Sequence, residues 1–218
     1  VSAFLDAHNL DALLLQRVSS FAWATCGARS YVNIASTYGA AALLITRRDH
    51  HLFTDNLEAA RLYEEEGLEA QGWRFHVREW YEPPQLDHWL LGLRVGADGP
   101  HPAAQDLSGP VARLRARLTP QEGARMAALA ASAAEAVTDT AMSIRAGDTE
   151  QATSARLSYE AERRGLQAIT NIVATDERIL RYRHALPTGR GLGRHVMLVL
   201  NARRWGLVCT VTRFVHFG

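Results

Sequence analysis

The sequence lacks an excess of charge of either sign. Its 24 basic and 23 acidic side chains leave a formal net charge of +1 over 218 residues. That balance gives no electrostatic footprint for nucleic acid or an anionic membrane, so neither is expected as a partner. No apolar run approaches the roughly 20 residues that a bilayer requires. The opening VSAFLDAHNLDALLL lacks the basic–apolar–small order of a secretory signal. Cysteine is scarce: Cys26 and Cys209 stand far apart, with no CxxC and no Cys/His zinc spacing. They read as buried thiols in a reducing compartment, which implies a cytoplasmic protein without disulfides. The chain starts at Val1 and ends on an apolar strand that still wants a neighbour. It is therefore read as part of a longer protein. One more absence is local. From Arg183 to Gly218, RHALPTGRGLGRHVMLVLNARRWGLVCTVTRFVHFG contains no Asp and no Glu, although it reads as a strand pair built like an active-site hairpin.

Apolar residues make up 47% of the chain, enough for a substantial core. In the first half, strand patterns alternate with helix patterns, which favours an α/β layered domain. LDALLL, GAAALLITRRD, HHLFTD and WRFHVREW read as strands, and RVGAD begins another. NLEAARLYEEEG reads as an amphipathic helix stopped by Gly67, and LDHWLLGL as a shorter helix. Trp23, Trp73, Trp80 and Trp89 read as core or interface residues.

After a Pro/Gly-bearing connector with a helical piece, VARLRARL, a helix start is well marked. Thr119 suits the N-cap, Pro120 the first helical position and Glu122 the third, a capping box with the favoured proline. The spacing of Met126, Leu129, Ala133, Val137 and Ala141 carries that helix to about Ile144. A second helix opens at Asp148 or Thr149 and closes at Gly165, and three strands follow. A domain boundary is placed near residue 118. The glycines of TGRGLGRH suggest a phosphate loop, but a strand follows them rather than a helix, and the Walker lysine is missing. They read as a flexible hairpin loop. DHH, residues 49–51, reads as a polar turn rather than a metal site, because adjacent residues of an extended segment point to opposite faces.

Several stretches together resemble the N-terminal portion of the creatinase/aminopeptidase P/prolidase family, the "pita-bread" proteins. They are LDALLLQRVSSFAWATCG, AALLITRRDHHLFTDNLEA, TPQEGARMAALAASAAEAV, the Gly-x-Thr-Glu turn at Gly147–Glu150 with its helix, and GLVCTVTRFVHFG. The resemblance implies an α/β creatinase-like domain over residues 1–118. It implies the first part of an α+β pita-bread domain over 119–218, with the C-terminal part absent. It also implies a homodimer acting on a small peptide or amide.

In the peptidases of this family, two aspartates on the hairpin help to hold a pair of divalent metals such as Mn, Co or Zn. The positions that match them here are Asn201 and Thr210. Two cations need anionic oxygens to offset their charge, so no metal cofactor is expected. This state resembles creatinase, the metal-free hydrolase of the family, which also has Leu-Asn at the first position, as in Leu200-Asn201. By the same resemblance, His184, 17 positions before Asn201, is the candidate catalytic acid/base. Asn201 and Arg213 are candidate substrate-binding residues. The expected activity is hydrolysis of a small C–N bond, peptide, amide or amidine. The alternative is a pseudo-peptidase that keeps the fold as a dimeric or peptide-binding scaffold.

Overall fold

The run Ala12–Leu15 is buried at every position, so both of its faces must be covered, and strand β1 (Ala12–Arg17) lies inside a sheet. In the computed structural model, which describes residues 1–218, the chain divides into two compact units, Val1–Leu118 and Thr119–Gly218. Each unit has its own sheet.

The first unit contains α1 (Ser2–Ala7), β1, α2 (Val18–Ala24), β2 (Tyr38–Thr46), β3 (His50–Asp55), β4 (Arg74–Arg78), α3 (Leu86–Leu90), β5 (Val95–Ala97), β6 (Gln105–Asp106) and α4 (Ser108–Arg115). The strand order is β4-β3-β2-β1-β5-β6. β1–β2 and β2–β3 are antiparallel; the remaining pairs are parallel. Alternation along the strands builds two cores. Leu13, Leu15, Leu43, Ile45 and Leu52 pack with Leu5, Phe21 and Val111 on one face. Ala12, Leu14, Leu44 and Phe53 pack with Leu86 and Leu90 of the short α3 on the other.

Four readings of the sequence need correction here. NLEAARLYEEEG does not form a long helix; its regular part is a π-helical turn, Arg61–Glu65. Leu62 is fully buried while Leu57 is 66% and Tyr63 41% exposed, an apolar stripe too narrow to anchor three turns. DHH is not a polar turn. His50 opens β3, and His51 is buried, with its Nδ1 2.9 Å from Nε2 of His76. Burial pushes both imidazoles below their ordinary pKa. Cys26 is not buried; it is exposed in the turn after α2, with a positive φ of 59°. Neither cysteine is in a disulfide. Finally, the glycine-bearing loop after Pro187 is tied down, as described below.

The second unit contains α5 (Pro120–Ser143), α6 (Glu150–Glu162), β7 (Gln167–Thr175), α7 (Glu177–Arg181), β8 (His195–Arg204) and β9 (Leu207–His216). Thr119 caps α5: its hydroxyl accepts from the Glu122 N–H, and the Glu122 carboxylate accepts from the Thr119 N–H. Thr149 caps α6 by accepting from the Ala152 N–H. The three strands form an antiparallel sheet in the order β7-β8-β9. Val196, Leu198, Leu200 and Ala202 face the helices and meet Leu129, Ala133, Val137, Leu157 and Ala161. Met197 and Val199 face the other way and pack with Ile172, Ala174 and Ala185. No helix of the chain is long and apolar enough to cross a membrane.

Candidate functional site

The hairpin β8–β9 turns at Trp205 and Gly206, both at positive φ. Its register sets Asn201 directly opposite Thr210. Because Leu200 and Ala202 face the helices, Asn201 and Thr210 share the outer face of the sheet. There the Thr210 hydroxyl donates to Asn201 Oδ1 at 2.8 Å. That bond engages the Asn201 amide through its oxygen, so its Nδ2 donors are not used by Thr210. Arg213 stands opposite Leu198, an inward position. The hairpin therefore puts it on the face away from Asn201. It is exposed and donates to the Thr212 carbonyl at 2.9 Å.

His184 is exposed in the turn after α7. The next residue, Ala185, is buried in the outer-face cluster with Ile172, Ala174, Met197 and Val199. The histidine loop is thus anchored on the face that carries Asn201 and Thr210.

The residue that fixes this loop is Glu150, which the sequence reading placed in a turn motif and gave no role. Its side chain is fully buried. Oε2 accepts from the Thr188 N–H and hydroxyl at 2.9 and 2.7 Å, and Oε1 from the Thr175 N–H at 3.1 Å. Arg178 pairs with the same carboxylate and also donates to the Leu186 carbonyl at 3.0 Å. Burial pushes the Glu150 carboxyl up. Hydrogen bonds from Thr188 and Arg178 outweigh that, so it sits below its ordinary pKa. The next stretch is pinned as well. The Glu150 and Gln151 N–H groups donate to the carbonyls of Arg190 and Thr188, and Leu192 N–H to that of Asp148. Loop carbonyls therefore occupy the N–H groups of the first turn of α6, where a phosphate would otherwise sit. Nothing in the sequence separates Glu150 from an ordinary acid in a helix's first turn. Only the fold shows that it points inward.

The two divalent cations implied by the family resemblance do not fit the residues of this chain. On the hairpin the donor set is one amide oxygen, already accepting a hydrogen bond, and one hydroxyl. Neither is anionic. No cluster of three or more His, Cys, Asp or Glu that could hold a metal occurs in the chain.

No family model matches the sequence, and no curated protein matches it. Solved structures do match the fold. The prolidase from Pyrococcus horikoshii superposes with a TM-score of 0.77 at 19% identity, over 99% of this chain and 63% of that one. The X-Pro aminopeptidase from Thermotoga maritima gives 0.74 at 19%, over 99% and 64%. The N-terminal domain of the FACT complex subunit SPT16 from Cicer arietinum gives 0.60 at 10%, over 98% and 64%. The chain therefore has the mixed α/β architecture of pita-bread proteins. Its structural neighbours include prolidases and an Xaa-Pro aminopeptidase, so the fold is peptidase-like, and the chain spans somewhat under two thirds of the length of these neighbours.

Proposed function

We propose that the outer face of the β8–β9 sheet serves a hydrolase of a small C–N bond, peptide, amide or amidine, that works without a dinuclear metal centre. The hydrogen bond between Asn201 and Thr210 carries this reading. It joins two neutral side chains at the positions the resemblance assigns to metal-binding aspartates, and it leaves the Asn201 Nδ2 donors available to a substrate oxygen. A water oxygen adds to the substrate carbon as the C–N bond breaks. His184 takes the proton from water and returns it to the departing nitrogen. Residues 185–192 keep the histidine on this face through Glu150 and Arg178. Arg213, on the opposite face, has no part in this step. The protein is proposed to act on small peptides or amides as a cytoplasmic homodimer.

The test is a screen of Xaa-Pro dipeptides and guanidino or amidino compounds with full-length, chelator-treated protein. On any hit, His184→Ala lowers turnover by roughly 10²–10⁴-fold, the usual weight of positioned acid–base catalysis. A hit that ignores His184, or that appears only when Mn, Co or Zn is added, overturns the reading. One observation favours the scaffold alternative: the fold is shared by a FACT complex subunit as well as by chains described as peptidases. Peptide binding without turnover in the same screen selects it.

A further inference from the structure

The first unit holds a hollow that the hairpin chemistry does not use. It lies on the sheet face against which α3 packs, with a volume of about 230 Å³. That is below the roughly 300–1,000 Å³ of pockets for drug-sized ligands, so its occupant is small. Its floor is made by Ala40 and Ala42 of β2, whose methyl side chains leave room where a leucine would fill it. Phe53 and Leu86 add apolar wall. His76 stacks on Phe53 at a centroid distance of 4.7 Å and is held from behind by His51.

One end of the hollow carries two opposite charges, Asp55 and Arg78. They are register partners on β3 and β4 and project from the same face. They do not form an ion pair with each other, because each is held by its own loop. Asp55 Oδ1 accepts from the N–H groups of Leu57 and Glu58 at 3.1 and 3.3 Å. Arg78 Nη1 donates to the carbonyls of Glu79, Trp80 and Glu82 at 2.9, 3.0 and 2.6 Å. Those bonds use Asp55 Oδ1 and Arg78 Nη1, and both residues line the hollow. An anion and a cation, each held by its own loop, thus rise from register-paired positions on adjacent strands whose backbones run about 4.8 Å apart, beside an apolar floor.

We propose that this hollow binds a free α-amino acid with an apolar side chain. The ligand ammonium meets Asp55, its carboxylate meets Arg78, and its side chain lies on Ala40, Ala42 and Phe53. An α-amino acid carries both charges on one carbon, which suits adjacent strand positions. The two ends of a dipeptide lie farther apart. The site is independent of the hairpin reading.

The experiment is an NMR titration of the full chain with L-leucine, N-acetyl-L-leucine, L-leucinamide and L-alanyl-L-leucine. L-Leucine is expected to give saturable shifts confined to β2, β3, β4 and the start of α3 around Leu86. Removing either ligand charge weakens binding about tenfold or more, the weight of a lost charge-assisted hydrogen bond. Asp55→Asn keeps an oxygen to cap the following turn, so it reads the charge even if a second variant, Ala42→Leu, fails to fold. It weakens L-leucine and leaves N-acetyl-L-leucine unchanged. Folded Ala42→Leu loses the shifts. The proposal is overturned if L-leucine gives no saturable shifts, if they fall on residues 195–216, if they survive in folded Ala42→Leu, or if Asp55→Asn does not weaken them. Tighter binding of L-alanyl-L-leucine than of L-leucine overturns the ligand class.

Discussion

Asn201 and Thr210 are both neutral, and that decides what the hairpin can hold. Asn201→Asp with Thr210→Asp places two carboxylates at register-paired positions. Such a pair repels itself and becomes stable by taking up a cation. The double variant is expected to lose stability in chelator and to regain it with Mn or Zn, read as a shift in thermal midpoint. The parent protein is expected to show no such shift. Glu150 gives a second expectation. Glu150→Ala leaves Arg178 and the Thr188 groups without their acceptor in a closed site, at a cost of about 3–5 kcal/mol. Urea unfolding measures it. The pH dependence follows from the same carboxylate. Its folded pKa is lowered, so its contribution is complete above the ordinary glutamate range of about 4.3 and is lost as pH falls through the lower folded value. Glu150→Gln should therefore flatten the acid limb of the stability curve below about pH 4, and an unchanged limb would show that another carboxylate controls it.

Among the elements, α5 was the most legible in sequence. Thr119, Pro120 and Glu122 sit where capping chemistry requires them, and the box is formed. Thr119→Ala is expected to cost about 0.5–2 kcal/mol in a denaturant midpoint. The strands β1 to β4 were legible from their apolar alternation, because burial of one or both faces imposes that pattern. Where tertiary packing overrides local pattern, the reading failed. Glu58 and Arg61 support a helix on paper, yet one buried leucine does not hold it, and the chain takes a π turn. The glycine loop failed for a related reason. Gly193 is not there for flexibility: a Cβ on it would sit 1.7 Å from Asp176 Oδ2. Gly193→Ala is expected to cost about 1–3 kcal/mol through overpacking. In an Asp176→Gly background that cost should shrink, which a double-mutant cycle measures.

For the whole molecule, the first unit closes its own cores. Leu13, Leu43 and Phe21 on one face and Leu14, Leu44 and Leu90 on the other are all satisfied within residues 1–118. A protein of residues 1–118 is expected to fold alone, with dispersed amide spectra and a cooperative thermal transition. A molten spectrum would show that it depends on the rest of the chain. The candidate site was legible in part. Asn201 and Thr210 were identified by resemblance, but their hydrogen bond and shared face needed the strand register. Placing Arg213 on the other face depends on the same register. The hollow beside Asp55 and Arg78 left no trace in the sequence, because its charges come from strands joined by a turn and a loop.

The bond between Asn201 and Thr210 also has an evolutionary consequence. Codons for Asn and Asp differ by one base, whereas Thr and Asp are never one base apart. An Asp at position 201 alone would still receive the Thr210 hydroxyl and would be tolerated as an acceptor. It would gain no second anion, so selection for cation binding would have little to act on until the partner changed too. The threonine thus keeps the two-carboxylate hairpin several base changes away, even where a single aspartate at position 201 is tolerated.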